Sequence, residues 1–141
     1  MMPRIATRGW VVAAAVAAGC SSPTSVDVDE LTGRWTWVSA SGGIAGRTIT
    51  PATEGYTMEL RLSANGQAAL LRSGQATRTA EFELAVGGEG GSFPGQDVIR
   101  FSEALFGGWE EMGMDLLAGD QLTLADGCCD GYAYGFVRSG P

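Results

Sequence analysis

Apolar and polar residues alternate with a period of two over most of the chain beyond residue 32, and this period predicts β-strands. Residues 33–40 show it first, with Trp35, Trp37 and Ser39 sharing one face. Two large indole rings are thereby committed to the same side of one strand. We therefore expect this strand to open the domain and to contribute to its buried core.

Seven further segments alternate in the same way or lie between turn signals such as Asn65-Gly66. The predicted strands are residues 56–62, 67–72, 77–86, 97–101, 112–117, 121–124 and 132–138. No convincing helix separates them. The pattern therefore predicts an all-β domain, an eight-stranded antiparallel up-and-down β-barrel in which closure leaves no unpaired edge. A two-sheet sandwich is the alternative architecture.

The start of the chain has the composition of a signal peptide, with Arg4 and Arg8 followed by the apolar run 11–18. This run is too short to cross a bilayer as a permanent helix. Ala17-Ala18-Gly19-Cys20 resembles a bacterial lipobox, in which the cysteine receives a diacylglycerol lipid, palmitate being a typical acyl chain, and becomes the new N-terminus. The alternative is an ordinary secretory signal cut near Ala17 or Ala18, which would leave Cys20 as a plain thiol.

The lipobox resemblance implies a lipoprotein signal peptide over residues 1–19 and a lipid anchor on Cys20. Residues 20–30 are mostly polar and contain proline, so we expect a flexible, lipid-anchored linker before a barrel domain over residues 31–141. Ser21 after the cysteine resembles the sorting pattern of outer-membrane lipoproteins. It implies a lipid-anchored protein of the bacterial cell envelope, in the outer membrane and facing the periplasm or the cell surface.

The charge balance and the missing residue types narrow the function. The chain has 9 basic and 16 acidic residues and a net charge of −7, which disfavours nucleic acid as a partner. It has no histidine and no lysine, so the commonest general base and Schiff-base chemistry are both absent. We therefore expect no enzyme activity and no cofactor.

Cys128 and Cys129 are adjacent, and in an oxidising compartment they are candidates for a disulfide. A disulfide between neighbours closes a small strained ring, so free thiols are the alternative. Two adjacent thiols without histidine lack the ligand spacing of a zinc site. Asp126 and Asp130, flanked by glycine, fit turn residues better than calcium ligands, and no metal site is predicted.

The segment Leu31-Thr32-Gly33-Arg34-Trp35 resembles the glycine-x-tryptophan start of the first strand in lipocalins. Arg138 resembles the arginine of the last lipocalin strand that packs on this tryptophan. The chain after the signal peptide, including residues 42–46, 50–51 and 129–132, resembles small bacterial lipocalin-like lipoproteins. The resemblance implies a barrel whose structural floor contains Trp35 and Arg138.

Strand direction supplies an independent expectation about the two ends of such a barrel. If the first strand runs from floor to mouth, the connections 41–55, 102–110 and 126–131 all lie at the mouth. Inward positions near the mouth, together with apolar residues of these connections, form the predicted ligand-binding set. Its members are Trp37, Ile44, Tyr56, Met58, Phe106, Trp109, Met112, Met114 and Tyr132.

Two functions follow from this arrangement. The first is a membrane-anchored lipocalin-like lipoprotein that binds a small hydrophobic molecule in the barrel mouth. The second is a barrel filled by its own side chains, which acts as an envelope protein-interaction module through its apolar mouth loops. Its partners would be the membrane, through lipid on Cys20, and either a small hydrophobic ligand or an envelope protein.

Overall fold

The computed structural model describes residues 24–141, so the predicted signal peptide and Cys20 lie outside the described residues. This part of the chain forms nine strands and two single-turn helices. In chain order they are α1 Val28–Leu31, β1 Gly33–Gly42, β2 Arg47–Ile49, α2 Pro51–Glu54, β3 Met58–Leu62, β4 Gln67–Arg72, β5 Gln75–Val86, β6 Asp97–Phe101, β7 Glu111–Leu117, β8 Gln121–Asp126 and β9 Tyr132–Gly140.

Eight of the strands close into an antiparallel barrel. β1 pairs with β3, each strand from β3 to β9 pairs with the next, and β9 pairs back onto β1. β2 is an extra strand that pairs with the end of β1. The predicted eight-stranded up-and-down barrel is confirmed, and a two-sheet sandwich is excluded because the ring of pairings is complete.

A bulge in β1 alters the alternation that the sequence predicted there. Trp37 pairs with Phe136 whereas Ser39 pairs with Gly135, so β1 has one residue more than β9 across this step. Beyond the extra residue, positions of β1 that would otherwise have faced outward face the core. Ala40 is consequently buried, and the expectation that Ser39 shares the tryptophan face is wrong.

The connection 41–55 is more ordered than a long loop. β1 continues to Gly42, a short turn follows, and β2 returns along β1. The helical turn α2 begins at Thr50, whose side-chain oxygen accepts a hydrogen bond from the Thr53 amide at 3.3 Å. It ends at Gly55, whose φ of +76° suits glycine. A hairpin and a capped turn therefore border the mouth.

The structure also differs from the predicted flexible linker over residues 24–30. The Ser25 amide donates to both carboxylate oxygens of Asp97, each at 3.1 Å, and Val26 is buried in the core. The Asp27 amide donates to Glu30 Oε2 at 3.1 Å, which caps α1. The polar composition of this segment did not indicate the buried Val26 or the capped turn α1. These two features attach the segment to the barrel.

The floor of the barrel is built around Trp35, which is fully buried and donates its indole N–H to the Leu31 carbonyl at 2.9 Å. The Arg138 guanidinium lies over the Trp35 ring, 4.2 Å from its centroid. It also donates to the carbonyls of Thr32 at 2.8 Å, Gly119 at 2.9 Å and Glu30. One side chain therefore connects α1, the start of β1 and the β7–β8 turn.

Above this floor the barrel is filled by its own side chains. Leu31, which is fully buried, occupies the floor itself. The fully buried side chains of the neighbouring strands are Leu60, Ile99, Met112, Leu122, Leu124 and Phe136. Open space inside the barrel is consequently confined to the mouth.

Replacing Trp35 with alanine should lower the free energy of unfolding by about 3–5 kcal/mol, because a fully buried ring and its hydrogen bond are lost. Trp109→Ala is the matched control, since Trp109 is 54% exposed. We expect the control to change stability by less than about 1 kcal/mol. Urea unfolding of both variants measures the difference, and equal effects would contradict the assigned floor.

Candidate functional site

A cavity of about 350 Å³ opens at the mouth, at the end of the barrel opposite Trp35. Strands β1, β3, β4, β5 and β9 contribute to it, together with β2 and the connection 102–110. Its lining residues are Trp37, Ile49, Tyr56, Met58, Leu70, Arg72, Thr77, Arg78, Leu105, Phe106 and Tyr134. The volume lies within the range of about 300–1,000 Å³ that small-molecule sites occupy.

Aromatic rings form two walls of the cavity. The Trp37 and Tyr56 rings stack with centroids 5.7 Å apart, and the Phe106 and Tyr134 rings lie 4.8 Å apart. Phe106 belongs to the connection 102–110, which also inserts the buried Leu105 into the barrel. This connection therefore narrows the mouth with apolar side chains.

Two arginines face the same cavity. Arg72 pairs with the inward Met58, and Arg78 pairs with the inward Leu70, so both occupy inward positions of their strands. The Arg72 guanidinium lies 3.7 Å from the centroid of the Tyr56 ring. Arg78 donates to the Ala104 carbonyl at 2.7 Å and so holds the connection 102–110.

The Trp37 indole N–H is an unusual donor. Trp37 is 1% exposed, and its Nε1 has no hydrogen-bond acceptor among the described residues. The corresponding group of Trp35 is bonded to Leu31. A buried donor without an acceptor costs about 1–3 kcal/mol.

Tyr134 presents a neutral hydroxyl to the cavity. Burial, followed by the nearby charge of Asp126, raises the pKa of Tyr134 to about 12. Asp126 lies behind the cavity and accepts a hydrogen bond from the Tyr132 amide at 3.3 Å. No aspartate or glutamate belongs to the cavity lining itself.

Of the predicted ligand-binding residues, Trp37, Tyr56, Met58 and Phe106 line this cavity. Met112 lies in the filled core, and Met114 borders a separate groove beside Ser25. Counting inward positions from the mouth ignored the stagger of barrel strands. β6 pairs with the half of β5 that is farther from the mouth, where Phe101 lies opposite Phe82, and β7 pairs with β6, so both methionines lie deeper than the count suggested.

The other predicted residues surround the mouth without lining the cavity. Ile44 is 90% exposed in the turn between β1 and β2. The Tyr132 hydroxyl lies against Gly43, and its ring centroid is 6.2 Å from that of Tyr134. Trp109 lines a groove of about 590 Å³ on the outside of the barrel, beside the ion pair of Arg100 and Glu111.

The sequence interpretation missed Arg72, Arg78 and Tyr134 as site residues. The signal was nevertheless present, because inward alternation continues from Leu70 to Arg72. It also continues backwards from Phe82 through Ala80 to Arg78. The predicted ligand-binding set included only apolar inward residues, so it omitted Arg72 and Arg78.

Cys128 and Cys129 are exposed free thiols in this structure, and their sulfur atoms are 3.2 Å apart. The hydrogen bond between them lowers the pKa of the Cys128 thiol and raises the pKa of the Cys129 thiol. Their oxidation to a disulfide stays a prediction. Within residues 24–141, no group of three or more cysteine, aspartate and glutamate side chains could hold a metal ion.

In the same part of the chain, no helix has the length and apolar composition needed to cross a bilayer. Comparisons of the sequence and structure with protein-family models, curated proteins and solved structures gave no match. The closed eight-stranded barrel is consistent with a lipocalin-like architecture.

The raised pKa of Tyr134 predicts a pH dependence of stability. Tyrosine in the unfolded chain ionises near pH 10, before the folded Tyr134 does, so stability should fall as the pH rises from about 10 through about 12. Urea unfolding at about pH 9 and about pH 11 should show a larger loss for the native protein than for Tyr134→Phe. Equal losses would mean that Tyr134 is not buried as described.

Proposed function

We propose that this protein is a lipid-anchored, lipocalin-like barrel that binds one small hydrophobic molecule at its mouth. The observation that carries the proposal is the cavity of about 350 Å³ above a filled barrel floor. Trp37, Tyr56 and Phe106 give it aromatic walls, and Met58 and Leu70 add aliphatic surface. A concave, mostly apolar site with a few polar groups is the usual form of a small-molecule site.

The rigidity of the scaffold supports this proposal. A closed ring of strands and a packed floor hold the mouth strands in fixed positions, so the cavity walls need little rearrangement to accept a ligand.

The proposed lipid on Cys20 would keep the barrel close to the membrane. Only Ser21, Ser22 and Pro23 separate Cys20 from Thr24, and the segment from Ser25 onwards is attached to the barrel. Even a fully extended connection of this length spans no more than about 14 Å. Ser25 is bonded to Asp97 at the floor end of β6, so the anchor would join the barrel at the end opposite the mouth.

The second candidate function, an envelope protein-interaction module, is favoured by the outer groove. Trp109 is half exposed there beside Phe82 and Phe101, between the carboxylates of Glu81 and Glu110. Exposed tryptophan is common at the centre of protein interfaces. This groove lies outside the barrel, so the two functions predict different sensitive residues.

Native mass spectrometry of the full chain, released from mild-detergent micelles after exposure to a lipid extract, tests the first function. We expect a one-to-one adduct that disappears on denaturation. Tyr56→Ala should weaken its retention by about fivefold, the equivalent of about 1 kcal/mol of aromatic contact. Trp109→Ala is the control and should retain the adduct. Bare protein, or loss of the adduct only in Trp109→Ala, would reject the mouth as the site.

The anchor is tested with Cys20→Ser in cells supplied with a labelled palmitate analogue. The native chain should take up label and partition into detergent, whereas the variant should do neither, since its hydroxyl cannot replace the modified thiol. The double variant Cys128→Ser and Cys129→Ser is the control and should keep the label. If the native protein takes up no label, an ordinary secretory signal is the correct interpretation of the N-terminal segment.

A further inference from the structure

The charge of the mouth cavity is opposite to that of the whole protein. The chain has a net charge of −7, yet the cavity lining contains two arginines and neither aspartate nor glutamate. Strand register, rather than chance placement of flexible side chains, directs Arg72 and Arg78 to this side of the sheet. The mouth is therefore a positively charged, partly apolar depression on an acidic protein.

Among residues 24–141, no carboxylate forms an ion pair with either arginine. The ion pairs found in residues 24–141 join Arg61 to Glu59 and Arg100 to Glu83 and Glu111, and none of them includes Arg72 or Arg78. A guanidinium has five N–H donors, and the Ala104 carbonyl accepts from only one nitrogen of Arg78. The remaining guanidinium N–H groups can consequently donate charge-assisted hydrogen bonds to a bound anion.

Both guanidiniums are also held in position. Arg72 stacks on the Tyr56 ring at 3.7 Å, and Tyr56 in turn stacks on Trp37. Arg78 is fixed by its 2.7 Å hydrogen bond to the connection 102–110. Little side-chain freedom remains to be lost when an anion binds, which favours binding.

From these contacts we infer that the ligand of the mouth is a single-chain amphipathic carboxylate. Its carboxylate lies between Arg72 and Arg78, and its apolar chain lies against Met58 and Phe106. This inference rests on the proposed function and adds the chemical class of the ligand. The volume of about 350 Å³ is at the small end of ligand sites, which fits one acyl chain better than a two-chain lipid.

The test compares decanoate with decanol, which share the alkyl chain and differ in the charged group. Native mass spectrometry of the full chain in neutral detergent should show decanoate retained at least about tenfold more strongly than decanol. Arg72→Met with Arg78→Met should remove this preference while keeping the retention of decanol. Arg61→Met is the matched control, because Arg61 faces outward on β3 and pairs with Glu59.

Charge reversal gives a second test that does not depend on loss of binding. The double variant Arg72→Glu with Arg78→Glu should retain decylamine in preference to decanoate, and thermal unfolding would verify that the variant is folded. If the native protein retains both decanoate and decanol equally, the carboxylate inference is overturned and the hydrophobic site stands. If folded native protein retains neither and carries no adduct from lipid extract, the proposed function fails as well.

Discussion

The contact between Trp35 and Arg138 is the interaction on which the rest of the structure depends. It lies where β1 meets β9, the pairing that closes the barrel, and the same guanidinium binds carbonyls before β1 and in the β7–β8 turn. Burying a guanidinium face against an indole while its N–H groups find carbonyl acceptors avoids an unsatisfied charge. With the floor sealed in this way, the interior of the barrel is open only at the opposite end.

The mouth is built by departures from the regular pattern of the barrel. The bulge after Trp37 moves Ala40 inward, and the connection 102–110 inserts Leu105 and Phe106. A small inward residue and a folded-in connection together shape a shallow cavity in a barrel that is otherwise filled. Tyr134 and two arginines that form no ion pair with the described part of the chain make this cavity chemically distinct from the core below it.

Periodicity predicted the strands and the closed barrel well because most inward residues are large and apolar and several turns are short. It failed where one residue interrupts the period, as at Val38, and where structure depends on capping, as in α2 and in the segment containing Val26. At the site, alternation identified Trp37, Tyr56 and Met58, and the apolar character of the connection 102–110 identified Phe106. Alternation could not predict the stagger of the strands, which buries Met112. Arg72 was missed because only apolar residues were selected as ligand contacts.

The central claim is that the mouth binds a ligand while the floor is permanently filled. The indole N–H signals of isotope-labelled protein test it directly, because Trp35, Trp37 and Trp109 report on the floor, the cavity and the outer groove. Addition of decanoate should displace the Trp37 signal and leave those of Trp35 and Trp109 in place. A shift of the Trp109 signal alone, or no shift at saturating decanoate, would contradict the account.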